Sequence, residues 1–132
     1  MKVKVKQAME HDFEWISSIQ KSAKLPIWKP NSTSWIIGKS AFAIWQKMGN
    51  ESELLSIAVR KKSRGKGYAK QLMEFAQKEL GRLGADNFFL EVKENNEAAI
   101  SLYQKLGYEK ISERKRYYPD DEPALIMKLA NI

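Results

Sequence analysis

Glu53-Leu54-Leu55-Ser56-Ile57-Ala58-Val59, running on into Arg60-Lys61-Lys62-Ser63-Arg64-Gly65-Lys66-Gly67-Tyr68-Ala69-Lys70-Gln71, is the stretch on which the fold turns. Its first part is an apolar run of strand length. Its second part is a basic turn with two glycines, and a helical pattern follows. Gly65 and Gly67 can take the positive φ of a tight turn and let another group approach the backbone closely. The helix beyond offers unpaired N–H groups and the positive end of its dipole. Arg60, Lys61, Lys62, Arg64 and Lys66 add five positive charges in seven residues. Strand, amide-lined turn and helix start make a cradle for phosphate. A solvated basic turn is the plainer reading of the same residues. The turn is neither Gly-x-x-x-x-Gly-Lys-Ser/Thr nor Gly-x-Gly-x-x-Gly, so it is neither a P-loop nor a dinucleotide fingerprint.

Composition narrows the field. The chain has 132 residues, of which 43% are hydrophobic. One domain over residues 1–132, with a real core, is expected. There is no cysteine, which excludes disulfides, a thiolate zinc site and a cysteine nucleophile. The single histidine, His11, precedes Asp12 at the start of an expected helix, where a surface or capping role fits. No metal site is expected. No apolar run approaches the ~18 residues of a membrane span. Met1-Lys2-Val3-Lys4-Val5-Lys6 has no apolar segment of a signal peptide. A cytoplasmic location without membrane contact is the expectation. The net charge of +7 favours anionic partners.

Along the chain, Lys2–Gln7 alternates like an edge strand. Asp12 can cap a helix over Phe13–Ser22, with Phe13, Ile16 and Ile19 on one face. Residues 23–34, with Pro26 and Pro30, read as a loop or one short helical turn. Trp35 is expected in the core, while Trp28 fits either the core or a substrate groove. Trp35–Ile37, Ser40–Lys47 and Leu54–Val59 read as strands joined at Gly38-Lys39 and Gly49-Asn50. Tyr68, Leu72, Phe75, Ala76, Leu80 and Leu83 form a helical stripe that stops at Gly84. Asn87–Val92 reads as a central strand. Asn95 or Asn96 caps a second long helix carrying Ile100, Tyr103 and Leu106, which ends at Gly107. Tyr108–Tyr118 and Ala124–Leu129 close the chain as strands. The order is β-α-(short helix)-β-β-β-α-β-α-β-β. This is an α/β (α+β mixed) architecture, with a mixed central sheet of six to seven strands and helices on both faces.

Five segments carry a resemblance. They are Ile57-Ala58-Val59, the turn through Lys70, Leu90-Glu91-Val92 with Asn95-Asn96-Glu97-Ala98-Ala99, Leu102-Tyr103-Gln104-Lys105-Leu106-Gly107-Tyr108, and Arg114-Lys115-Arg116-Tyr117-Tyr118-Pro119. From Glu53 to Leu129 the chain resembles the GNAT family of N-acetyltransferases, and within it the RimI-type enzymes that acetylate ribosomal-protein alanine N-termini. The first half of the chain carries less of this likeness.

The resemblance implies a GNAT fold with acetyl-CoA as co-substrate and no metal. The main chain of Ile57, Ala58 and Val59 would pair with the pantetheine arm as an added strand does. Arg64, Gly65, Lys66, Gly67, Tyr68, Ala69 and Lys70 would hold the pyrophosphate. Asn96 and Tyr103 would also contact the cofactor. Glu91 would be the general base, and Tyr103 the general acid that protonates the departing thiolate. Glu91 paired at a strand end, and Tyr103 as a plain core tyrosine, are the bland readings. The implied acceptor is the α-amine of a protein N-terminus, possibly ribosomal. A small-molecule amine or a lysine side chain is the alternative within the same fold. A non-catalytic basic module that binds nucleic acid is an alternative of another class, though no nucleic-acid motif is present. Oligomeric state, acyl-chain range and the role of residues 23–34 stay open.

Overall fold

In the computed structural model, which describes residues 4–115 and 122–130, ten elements follow one another. They are β1 (Lys6–Gln7), α1 (Phe13–Ser22), β2 (Ser34–Ile37), β3 (Ala41–Met48), β4 (Glu51–Val59), α2 (Tyr68–Arg82), β5 (Asn87–Lys93), α3 (Glu97–Lys105), β6 (Glu109–Arg114) and β7 (Ala124–Ala130). The short helical turns lie at Glu10–Asp12 and Lys61–Ser63, and residues 25–31 carry no helix. The seven strands form one sheet in the order β1-β2-β3-β4-β5-β7-β6. All neighbouring pairs are antiparallel except β4 and β5.

Helices cover both faces. Leu72, Met73, Ala76 and Leu80 of α2 and Tyr103 of α3 pack with Trp35, Trp45, Phe88, Leu90, Val92 and Met127. On the other face Ile16 and Ile19 of α1 pack with Ile36, Phe42 and Ile44. This double cover explains the burial pattern of β3. Ala41–Trp45 are buried without a break, because a strand covered on both faces has no solvent side. Met73 joins the buried stripe of α2, whereas Phe75 and Leu83 stay more than a third exposed.

Three further expectations change. The first strand is only two residues long, and Met1–Val3 lie outside the described residues. Asp12 does not bond to the N–H groups of α1. Its Oδ2 accepts from Met9 N–H and its Oδ1 from Trp15 Nε1, both at 2.8 Å. Burial pushes the Asp12 carboxyl up, but these bonds outweigh it and hold the pKa below the usual carboxylate range. The strand expected over Tyr108–Tyr118 is described for Glu109–Arg114; residues 116–121 lie outside the described residues.

A single irregularity shapes the sheet's centre. The β3–β4 register passes from Ile44↔Ser56 to Trp45↔Leu54, leaving Leu55 as an extra residue in β4. Such a bulge bends its strand and sharpens the local twist. The parallel β4–β5 ladder runs only from Glu51↔Asn87 to Glu53↔Phe89. Beyond the bulge, β4 keeps its ladder with β3 and β5 keeps its ladder with β7. The two strands part there.

Candidate active site

Where β4 and β5 part, a cleft of about 520 Å³ opens. Ile57, Ala58 and Val59 line one wall. Their register partners lie on β3 alone, so the opposite edge of the main chain faces the cleft. A peptide-like arm can add to such an edge as another strand would.

The floor at one end is the basic turn. Gly65 and Gly67 have φ of +82° and +79°. A Cβ at either would meet nothing within 4 Å, so the backbone conformation, not crowding, calls for glycine. Gly67 is the N-cap of α2 and offers no side-chain cap, and the first turn of α2 contains no acidic residue. The N–H groups of that first turn are therefore left for an anion. Arg64, Gly65, Gly67, Tyr68, Ala69 and Lys70 line this end of the cleft. Lys66 is exposed and is not among the lining residues. Ser63 is, and it is 5% exposed. Arg64 Nε donates to the Val59 carbonyl at 3.3 Å, which ties the turn back to the strand end.

The second wall is α3. Asn96 is its N-cap, and Asn96 Oδ1 accepts from Ala99 N–H at 3.2 Å. The cap uses the oxygen, so the Nδ2 donors are the part of this side chain available to the cleft it lines. Ala98, Ala99 and Leu102 line the same wall. These three and Ser63 were not among the expected cofactor contacts. The two alanines did carry a signal, since small side chains just after a cap let a ligand come close to the helix.

Tyr103 also lines the cleft and is 5% exposed. Burial pushes its hydroxyl up to about 12. Its ring lies against Tyr108, centroids 6.0 Å apart, and the Tyr108 hydroxyl donates to Gln77 Oε1 on α2 at 3.1 Å. Tyr103 thus keeps its proton throughout the ordinary pH range.

Glu91 stands on the other strand of the gap and is not among the lining residues. Phe88, Leu90 and Val92 point into the core under α2 and α3, so Glu91, one residue out of step, lies on the face that α1 covers farther along the sheet. Its Oε1 lies 4.0 Å from Arg114 Nη1, and its side chain is 26% exposed. Tyr103 and Glu91 thus approach the gap between β4 and β5 from opposite faces of the sheet. Among the described residues no cluster of three or more His, Cys, Asp or Glu could hold a metal ion.

A sheet split at its centre, with an anion cradle at a helix start beside the split, suits a ligand that joins an extended amide-bearing arm to a phosphate. The family described as Acetyltransferase (GNAT) matches residues 3–108, and this chain belongs to it. The [Ribosomal protein bS18]-alanine N-acetyltransferase of Escherichia coli strain K12 is 39% identical over 93 residues, 68% of this chain. The chain spans 63% of the length of that relative. The enzyme of the same name from Haemophilus ducreyi is 30% identical, with 95% of this chain and 98% of that relative covered. The crystal structure of the ribosomal-protein-S18-alanine N-acetyltransferase from Escherichia coli superposes with a TM-score of 0.87 at 29% identity, covering 98% of this chain and 94% of that one.

Proposed function

We propose that this chain transfers the acetyl group of acetyl-CoA to the N-terminal α-amine of a protein, a ribosomal one in the first instance. The observation that carries the reading is the open edge of Ile57–Val59 running into the acid-free start of α2. Together they suit a molecule with an amide-bearing arm and a pyrophosphate. Arg64 and the amides from Gly65 to Lys70 hold the pyrophosphate, with Lys66 adding charge from outside the cleft. Ile57, Ala58, Val59 and Asn96 align the arm. The relatives' substrate, an alanine N-terminus of a ribosomal protein, is the first acceptor to test.

The chemistry follows from the two facing groups. An α-amine has a reference pKa of ~8 against ~10.4 for lysine, so a modest base is enough to free its lone pair. Glu91 takes the amine proton, directly or through water, as the nitrogen bonds to the thioester carbonyl carbon. A main-chain N–H of the open β4 edge steadies the charge that develops on the carbonyl oxygen. The C–S bond then breaks, and Tyr103 gives its proton to the departing thiolate. No residue carries the acetyl group between the two substrates. Such a reaction on ribosomal proteins belongs in the cytoplasm.

Thiol release from acetyl-CoA tests the proposal with two versions of one alanine-initiated peptide. One has a free α-amine and blocked lysines; the other has the reverse. Turnover on the first alone is expected. Turnover on the second alone, or on neither, would overturn the α-amine assignment and point to lysine or a small amine.

A further inference from the structure

We propose that Gln20 is a positioning residue for the acceptor, acting as a latch that fixes the loop from Lys24 to Trp28 against the bulge of β4. This rests on the transfer reading above. Gln20 is fully buried, although glutamine normally sits at the surface. Its main-chain carbonyl accepts from Leu25 N–H at 2.8 Å. Its side-chain Oε1 accepts from Trp28 N–H, and its Nε2 donates to the Trp28 carbonyl, both at 3.3 Å. Nε2 also donates to Ser56 Oγ at 3.1 Å. One residue therefore holds both ends of the loop and joins it to β4.

The loop it holds is a built feature. Lys24 has φ of +58°, the one non-glycine with positive φ among the described residues. That conformation costs a side-chain-bearing residue free energy, and it persists where surrounding bonds enforce it. Past it, Leu25, Ile27 and Trp28 are 36%, 46% and 41% exposed. Three large apolar side chains within four residues of a held backbone form a surface for contact, not a core.

The latch faces the reacting side. Ser56 lies next to Leu55, the extra residue of the bulge, and immediately before the cleft-lining Ile57. Ser56 pairs with Ile44, whose side chain packs under α1. Parallel pairing of Glu53 with Phe89 puts Leu55 and Glu91 on that same face of the sheet. The loop, the latch and Glu91 thus share the side from which the amine arrives. From Trp15 to Asn50 the sequence has no acidic residue. The loop therefore suits the uncharged or apolar side chains that follow the acceptor's α-amine, and Gln20 sets where they meet Leu25, Ile27 and Trp28.

The test uses the full chain with Gln20→Met, which keeps the side-chain length and removes all three of its hydrogen bonds. The KM for an alanine-initiated peptide should rise about tenfold and the Trp28 amide should exchange about tenfold faster. The Kd for acetyl-CoA without peptide, read by calorimetry, should stay at the parental value. Ser56→Ala keeps both bonds to Trp28 and cuts only the tie to β4, so it should raise the peptide KM less while Trp28 stays protected. A parental peptide KM in Gln20→Met overturns the proposal. So does an acetyl-CoA affinity that falls in step with the peptide KM. Should Gln20→Met not fold, an unchanged peptide KM in Ser56→Ala overturns it. If the parent turns over no peptide, the transfer reading fails instead. Trp28 exchange then decides the latch alone, and parental exchange in Gln20→Met sinks it.

Discussion

The two halves of the sheet differ in what covers them. In β2 and β3, Ser34–Ile37 and Ala41–Trp45 are buried without interruption, with α1 on one face and α2 on the other. In β6 every residue is exposed. In β5, Phe88, Leu90 and Val92 are buried while the residues between them are only half-buried. The first half is a frame held from both sides. The second is a wall with one bare face, and Glu91 is on that face. The gap between them exists because β4 is fixed to the frame up to Val59, whereas its ladder to the wall ends at Glu53. A ligand that enters between a fixed edge and a half-bare wall can be gripped by one and presented to a reactant at the other.

Substitutions can break this contrast. Phe42, fully buried beside α1 with its ring 6.2 Å from Trp15, should cost about 3–5 kcal/mol of stability when replaced by alanine. Ser112→Ala on exposed β6 should change it by less than about 0.5 kcal/mol. Urea unfolding measures both, and equal costs would abolish the distinction between frame and wall.

At the gap itself, Tyr103→Phe should lower kcat about 100-fold, the low end for loss of a general acid. Acetyl-CoA binding should be unaffected, since the ring and its packing remain. Stopped-flow thiol release alongside calorimetry separates the two effects, and an unchanged kcat would remove Tyr103 as the acid.

The same tyrosine predicts an alkaline limit. Its pKa is about 10 unfolded and is held near 12 by burial in the native state. Between these values the native state binds more protons, so stability falls as pH rises. The contribution is fully present below pH ~10 and is lost through ~12. It should be on the order of 2–3 kcal/mol, read as a falling urea midpoint that is flatter in Tyr103→Phe. An equal slope in the two proteins would contradict the burial.

In the cradle the expected effect is about tenfold in cofactor affinity. Gly67→Ala must hold alanine at φ +79°, a cost of about 1–2 kcal/mol. The Kd for acetyl-CoA should rise about tenfold with the frame intact. Unchanged affinity would mean that the turn does not hold the pyrophosphate.

What the sequence revealed follows the range of each interaction. The turn at Gly65 and Gly67 and the cap at Asn96 are local, set by residues within four positions of one another, and they stand where the residues foretold. The exit of α1 was less plain, because Lys24 takes a conformation usually marked by glycine. The bulge at Leu55 is a mismatch between two strands, and no property of Leu55 alone announces it. The parting of β4 and β5 is likewise a fact about partners far apart in the chain. Gln20 had a weak signal, standing four residues after Ile16 and beside Ile19 on the apolar face of α1. A polar residue there reads as the edge of the stripe until the loop that covers it is seen.

The short tie between frame and wall also bears on the order of assembly. The Asn50 carbonyl accepts from both Asp86 N–H and Asn87 N–H, at 2.7 and 3.2 Å, where the three-pair parallel ladder starts. Strands β2, β3 and β4 are linked by turns at Gly38 and Gly49, so their ends meet at small entropic cost. The tie must close a loop that contains all of α2. The meander should therefore be in place at the folding barrier and the tie made after it, with φ-values higher at Phe42 than at Phe88. Equal values would mean that the two halves condense together. In the first case the cleft is the last part of the sheet to take shape, and a ligand that bridges it would slow unfolding without hastening folding.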